Sequence, residues 1–392
     1  MTRSLECSAT CAFGLEGVVA RELEGIGVQG VRSDNGSVSF QASPEEVCQT
    51  NLWLRTADRV WVVAGRFPAR SFEELFSGVR ALPWPDLLPR QAAFPVEGMS
   101  HNSQLSSVPA CQAVVKKAIV ESLKARYAVE RFPEDGPLFK VRVALVKDQA
   151  TISLDSSGPG LHRRGYRKLT AEAPLRETLA AGLVLLSYYQ ADRALYDPFC
   201  GSGTILIEAG WIALDRAPGL TRNFASEGWP WIGRARWERA RREAESRRIH
   251  GRRLALLGSD ADPRVLSLAR YHVHAAGLGK VGVSLLRREV RDFAPEQEYS
   301  VMITNPPYGE RQQDRPAARA LAAELGRVTE RLKTWSLYCL TSDSEFERAF
   351  GRKATRKRKL YNGMLQCTYY QYPGPRPPEG FAAIPSVLPD EV

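Results

Sequence analysis

At 392 residues the chain is about two to three times the length of a typical domain, so two or three domains are expected. Hydrophobic residues make up 44% and charged residues 25%, an ordinary globular balance that excludes a disordered or fibrous protein. Lys and Arg (54) outnumber Asp and Glu (44), and the net charge of +10 favours a polyanionic partner without speaking to the fold.

No apolar run reaches the roughly 18 residues of a membrane span, and the N-terminus lacks a basic region followed by an apolar stretch. The expectation is a soluble, cytoplasmic protein without membrane attachment. Seven cysteines, an odd number scattered along the chain, agree with buried thiols in a reducing compartment. Cys7 and Cys11 form the one close pair, His272 and His274 fall on different helix faces, and no set shows zinc-ligand spacing, so no metal is expected.

In chain order, Leu5 to Ala9 reads as a strand and Leu15 to Leu23 as a helix. Val28 to Val31 and Gly36 to Phe40 form a hairpin around Asp34-Asn35-Gly36. Glu45 to Asn51 is a short helix opened by Ser43-Pro44, and Arg59 to Gly65 is a strand. The second segment carries a helix from Cys111 to Tyr127, with Val115, Ile119, Leu123 and Tyr127 recurring every four residues. Lys116, Lys117, Lys124 and Arg126 line its other faces. Two strands follow, Phe139 to Val146 and Ala150 to Asp155.

From Leu169 the pattern becomes strand–helix alternation. Helices are expected at Glu172–Tyr189, Thr204–Leu214, Pro263–Ala276 and Ala317–Leu332. Strands are expected at Ala194–Phe199, Leu254–Ser259, Tyr299–Thr304 and Trp335–Thr341. Continuous apolar strands argue for a mostly parallel, doubly wound α/β sheet covered on both faces. The tail beyond Tyr372 is Pro-rich and reads as loosely ordered.

Two loops carry the chemistry. Asp197-Pro198-Phe199-Cys200-Gly201-Ser202-Gly203-Thr204 joins a strand to a helix, and its glycines let a ligand lie against the backbone. There is no Gly-Lys-Ser/Thr and no third glycine, which disfavours phosphate-loop and dinucleotide readings. Asp260, after the next strand, is placed either to bind a ribose or to cap a helix. The second loop is Thr304-Asn305-Pro306-Pro307-Tyr308-Gly309. Two prolines end the preceding strand at the carboxyl edge of the sheet, where open α/β sheets bind ligands. The Asn305 side-chain oxygen and the Pro306 carbonyl can accept the two hydrogens of a planar amino group, and Tyr308 can stack on its ring.

Together these loops resemble the S-adenosylmethionine-dependent RNA methyltransferases that carry a THUMP domain, and within them the bacterial guanine-amino methyltransferases of 23S ribosomal RNA. The resemblance covers nearly the whole chain. It includes Ile152 to Gly158 with Leu161 to Arg167 as the junction, Ala173 to Thr178 as the first catalytic helix, Arg222-Asn223-Phe224 with Trp229-Pro230, and Leu360-Tyr361-Asn362-Gly363. It implies a ferredoxin-like subdomain over 1–66, a THUMP RNA-binding domain over 67–157, a linker over 158–168, a Rossmann-like methyltransferase domain over 169–373 and a tail over 374–392.

The activity implied is methyl transfer from S-adenosyl-L-methionine to the exocyclic 2-amino group of a flipped guanosine. Asn305, Pro306 and Tyr308 take the catalytic roles. Asp197, Phe199, Gly201, Ser202, Gly203, Thr204, Asp260 and Asn305 hold the cofactor. Its adenine contact falls to Glu289 or Asp292, two acidic residues after the expected fourth strand. The RNA partner would meet Lys116, Lys117, Lys124, Arg126, Arg163 and Arg164, together with Arg356, Lys357 and Arg358 from the run Arg352 to Lys359, which is six-eighths basic. Alternatives stay open: a transfer RNA guanine, a DNA adenine or a protein glutamine as acceptor, or a non-catalytic RNA-binding assembly protein.

Charge is unevenly spread. Residues 1–50 hold three basic and seven acidic side chains, so the remainder carries +14. The surplus points to the helix at 116–126, the arginine-rich insertion at 234–253 and the run at 352–359.

Overall fold

Alternating apolar and polar side chains make the first strand: β1 (Leu5–Cys11) buries every second residue. The computed structural model describes residues 4–129, 131–167, 175–295, 297–309, 312–379 and 381. After β1 come helix α1 (Glu16–Ile26) and the hairpin β2 (Gln29–Asp34) and β3 (Ser37–Ala42). Helix α2 (Pro44–Trp53) starts on a reciprocal cap. Ser43 Oγ accepts from Glu46 N, and the Glu46 carboxylate accepts from Ser43 N at 2.6 Å. Then follow β4 (Ala57–Pro68), α3 (Phe72–Arg80), α4 (Trp84–Leu87), β5 (Val96–His101), α5 (Val108–Tyr127), β6 (Val141–Val146) and β7 (Gln149–Asp155). The later half holds α6 (Glu177–Leu185), β8 (Leu195–Asp197), α7 (Thr204–Ala213), α8 (Arg234–Ser246), β9 (Leu256–Asp260), α9 (Pro263–Ala275), β10 (Val283–Arg287), β11 (Val301–Thr304), α10 (Arg315–Thr329), β12 (Ser336–Thr341), α11 (Phe346–Phe350), β13 (Arg356–Asn362) and β14 (Leu365–Tyr372). The start expected for the first catalytic helix, Glu172 to Pro174, lies outside the described residues, as does the tail beyond Phe381.

The chain divides into two compact units. The first holds residues 4–11, Val19–Leu161 and Arg222–Ala244. Among the described residues its strands form one sheet in the order β2-β3-β1-β4-β7-β6-β5, antiparallel except for the β5–β6 pair. The segments expected as ferredoxin-like and THUMP therefore share a continuous ladder through β4 and β7.

The segment Arg222–Ala244 lies between elements of the later half in sequence yet folds into this first unit. Trp229 stacks on Phe139 with ring centroids 4.9 Å apart and planes 9° from parallel, and its Nε1 donates to Leu138 O at 2.9 Å. Ser226 Oγ donates to Ser156 O at 2.8 Å. The arginines here are largely engaged locally: Arg239 pairs with Glu45, Arg241 with Glu227 and Arg234 with Glu238. The insertion is thus a tertiary clamp as much as a reservoir of free positive charge, which revises the reading of its composition.

The second unit holds Ala12–Val18, His162–Thr221 and the chain from Glu245. Its sheet runs β10-β9-β8-β11-β12-β14-β13, parallel from β10 to β12, with β14 antiparallel to β12 and to β13. Tyr196, Phe293, Met302, Trp335, Leu337, Phe346 and Tyr370 form an apolar core on one face, with the Tyr196 and Trp335 rings 4.8 Å apart. The direction of strand succession reverses between β8 and β11, so the loops after these strands diverge and leave a crevice at the carboxyl edge.

Candidate active site

The crevice is a cavity of about 360 Å³. It is lined by the loop after β8 (Phe199, Gly201), the end of β9 (Asp260), the segment after β10 (Arg288, Glu289), and the loop after β11 (Asn305, Pro306, Tyr308). Each group arrives at the carboxyl end of a parallel strand, which is why residues separated by over a hundred positions converge.

The loop after β8 is shaped by glycine. Gly201 and Gly203 take φ of +52° and +81°, a region other residues seldom enter, and a Cβ placed on Gly201 would meet no atom within 4 Å. The backbone is therefore bare where it faces the cavity. Gly201 N donates to Asp260 Oδ2 at 3.1 Å, and Asp260 Oδ1 accepts from Asp262 N at 3.0 Å, so the β9 carboxylate is oriented by two backbone donors.

Asp197 lies beneath this loop, 1% exposed. Its Oδ1 accepts from the Thr304 hydroxyl at 2.6 Å and from Phe199 N at 3.2 Å, tying the ends of β8 and β11 together. Burial pushes its carboxyl up to about 7 and the neighbouring Asp260 adds to the rise, while the Thr304 and Phe199 donors oppose it. Thr204, also buried, accepts from Arg167 Nη2 at 2.6 Å, and Ser202 Oγ lies 3.4 Å from Thr204 Oγ1. The buried His272 ring places Nδ1 3.2 Å from Ser202 O.

In the loop after β11, Pro306 is buried while Asn305 and Tyr308 are half-buried. The Tyr308 hydroxyl donates to Asn305 Oδ1. That bond fixes the amide, so Oδ1 is the atom held in place with one acceptor direction remaining. Burial, with Cys367 next in importance, pushes the Tyr308 phenol far above its usual range, so it stays a donor. Sequence reasoning gave Tyr308 a stacking ring; its hydroxyl also positions Asn305.

Of the residues expected at the cofactor, Phe199, Gly201, Asp260 and Asn305 line the cavity. Asp197, Ser202, Gly203 and Thr204 form the layer that holds the loop. Of the two candidates for the adenine contact, Glu289 lines the cavity, whereas Asp292 is exposed within a short 3-10 turn and is not among its lining residues. Arg167, His272, Arg288 and Asn362 were not singled out from sequence. Only Asn362, within Leu360-Tyr361-Asn362-Gly363, and Arg167, in the junction motif, carried a signal.

The expected RNA contacts divide. Arg164 is 2% exposed and ion-pairs with the wholly buried Glu208 at 3.3 Å, so its charge serves the interior and cannot meet a phosphate. Lys116 covers the Phe94 ring at 3.7 Å, donates to Phe94 O at 3.1 Å and pairs with Glu134 at 2.6 Å. Lys124 lies 3.7 Å from Glu121, while Lys117, Arg126 and Arg163 are exposed. Arg356, Lys357 and Arg358 are exposed on β13, with Lys357 bonded to Glu347 at 2.5 Å.

These features coincide with known sequences. Residues 164–371 match the methyltransferase domain described as RMKL-like. The chain belongs to that family. Residues 6–61 match the RlmL ferredoxin-like domain, and residues 69–155 match the THUMP domain. The chain is 47% identical over 366 residues to the Bacillus subtilis (strain 168) protein named "Putative RNA methyltransferase YpsC", covering 93% of this chain and 94% of that one. The crystal structure of SMU.472 complexed with SAH superposes with a TM-score of 0.91 at 44% identity, covering 96% of this chain and all of that one. A Listeria monocytogenes str. 4b F2365 structure, named "a predicted N6-adenine-specific DNA methylase", superposes with a TM-score of 0.91 at 46% identity, covering 95% of this chain and 97% of that one. The chain is a methyltransferase of the class I fold.

Proposed function

We propose that this methyltransferase uses S-adenosyl-L-methionine to methylate the 2-amino group of a guanosine in 23S ribosomal RNA. The observation that carries the reading is the convergence of Gly201, Asp260, Asn305, Pro306 and Tyr308 on one cavity. The bare Gly201 backbone and the oriented Asp260 carboxylate fit a nucleoside with ribose hydroxyls, and the SAH bound to SMU.472 supports the choice of cofactor. When bound, the cofactor supplies an electrophilic methyl group on a positively charged sulfur.

The chain's own residues then act on the acceptor. The lone pair of an exocyclic amine is delocalised into the base, so the nitrogen is a poor nucleophile. Asn305 Oδ1, held by the Tyr308 hydroxyl, and the Pro306 carbonyl accept the two amine hydrogens, drawing the nitrogen toward tetrahedral geometry and stabilising positive charge as it develops. Because Pro306 is buried, its ring fixes φ and the following Pro307 restricts its ψ, its carbonyl needs little reorganisation. The half-buried Tyr308 ring offsets part of the few kcal/mol that unstacking the base costs.

RNA as the polymer is supported by the THUMP match and by the name of the B. subtilis relative, and the guanine in 23S RNA by the resemblance drawn from sequence. The test is transfer of a labelled methyl group to total RNA, to genomic DNA and to a nucleic-acid-free protein extract, followed by mapping of the labelled nucleoside or residue. N2-methylguanosine in 23S RNA is the expected product. Label confined to transfer RNA, DNA adenine or protein overturns the assignment in favour of that acceptor.

A further inference from the structure

The open edge of β13 carries a feature that edge protection alone does not explain. Residues 12–18 belong to the second unit, and within it Gly14 lies tight against this strand: a Cβ on Gly14 would fall 2.3 Å from Lys359 O, and its φ is +90°. Arg358 Nη1 donates to Gly14 O at 2.9 Å. The segment is thus fixed to the strand, and it could cover the edge with any side chain at position 13.

Instead it presents Phe13, 52% exposed, edge-on to Tyr361 with ring centroids 5.9 Å apart. Lys359 Nζ lies 5.6 Å from the Tyr361 centroid, and Arg356, Arg358 and Lys359 are all exposed. Large aromatic surface beside several cations is the composition of sites that track unpaired nucleic acid, where phosphates meet the charges and bases stack on the rings. An apolar protein partner would be repelled by the cost of desolvating the same cations. The position is suited to the reaction: Asn362, the residue after Tyr361, lines the catalytic cavity. Successive strand residues face opposite ways, so Tyr361 and Asn362 lie on opposite faces of β13, and a polynucleotide engaging both would have to pass the strand edge beside Phe13.

We propose that Phe13 and Tyr361, flanked by Arg358 and Lys359, form a stacking platform for an unpaired nucleotide adjoining the one that is methylated; this rests on the reading of the protein as an RNA methyltransferase. The platform would hold the strand beside the flipped base, and its recognition is tolerant of base identity because every base has a π face.

The test uses the full chain and a fluorescein-labelled oligoadenylate of about 15 nucleotides, read by anisotropy across a salt series, alongside labelled methyl transfer to total RNA. Phe13→Ala is expected to weaken binding about 5- to 100-fold, the range for loss of one base stack. The log–log salt slope should stay unchanged because no phosphate contact is lost. Phe13→Trp is expected to bind within about twofold of wild type, and Tyr361→Phe against Tyr361→Ala repeats the comparison should Phe13→Ala fold poorly. Wild-type transfer to RNA with Phe13→Ala binding equal to wild type overturns the platform and leaves the proposed function standing. Loss that Trp does not rescue also overturns it, since a stack survives that exchange. Oligoadenylate binding without methyl transfer to any RNA overturns the proposed function and the platform with it.

Discussion

Replacing Asp197 with asparagine should make the protein more stable, and increasingly so as pH rises. The carboxyl group is 1% exposed, and burial lifts it from 3.8 to about 7. An acid whose folded-state pKa is raised keeps its proton longer in the native state than in the unfolded chain. Stability therefore falls as pH climbs from about 4 to 7, and the full cost is present above 7. The size of the rise corresponds to about 4 kcal/mol above pH 7 and about 2 kcal/mol at pH 5. Asparagine keeps the Oδ1 that accepts from Thr304 Oγ1 and Phe199 N but carries no charge to bury. Thermal or urea unfolding of both proteins at pH 5, 6, 7 and 8 reads the difference. Titrating groups that do not interact with Asp197 are common to the two proteins and cancel in it. The gap should widen by roughly 2–3 kcal/mol between pH 5 and 8, a shift in melting temperature on the order of 5–10 °C for a unit of this size. A gap that stays flat with pH, or an asparagine variant less stable at pH 8, would refute the claim that the carboxylate is held in place against its own desolvation.

Asn305→Ala should cut methyl transfer about 100- to 1,000-fold and S-adenosylhomocysteine affinity far less, because the lost acceptor acts chiefly on the amine. Tyr308→Phe keeps the ring but releases the Asn305 amide, and kcat should fall about tenfold in single-turnover assays, the scale of one hydrogen bond. Arg164→Ala removes the guanidinium paired with the buried Glu208, so urea unfolding should show a loss of about 3 kcal/mol, while the salt dependence of RNA binding stays that of wild type. Arg356→Gln and Arg358→Gln should each reduce the magnitude of the log–log salt slope of single-stranded RNA binding by about 0.7, and unchanged slopes would remove these side chains from the phosphate contacts.

The sequence by itself determined the local elements and the two chemical loops. Period-2 burial in β1, the Ser43–Glu46 cap and the apolar runs of β11 and β12 are local properties, so they were readable from neighbouring residues. Asp197 to Thr204 and Asn305 to Tyr308 were legible for the same reason: backbone bareness and rigidity are written into Gly and Pro. Weakly patterned elements were not. Strand β10 and the β13–β14 hairpin lack a clean alternation, and β13 is four charged residues followed by Leu360, which reads as a solvated run until β14 pairs with it.

Only the tertiary structure decided where charge goes and which carboxylate reaches the cavity. Arg164 and Arg163 are adjacent and chemically identical, yet the first is enclosed with Glu208 and the second is exposed. Glu289 and Asp292 are three residues apart, and the turn after β10 brings the first to the cavity and leaves the second outside its lining. The insertion whose arginines resembled an RNA contact spends several of them on Glu45, Glu227 and Glu238 within its own unit. A side chain's charge is set by its own chemistry, but the partner that uses that charge is set by residues far away in sequence, and long-range packing alone brings the two together.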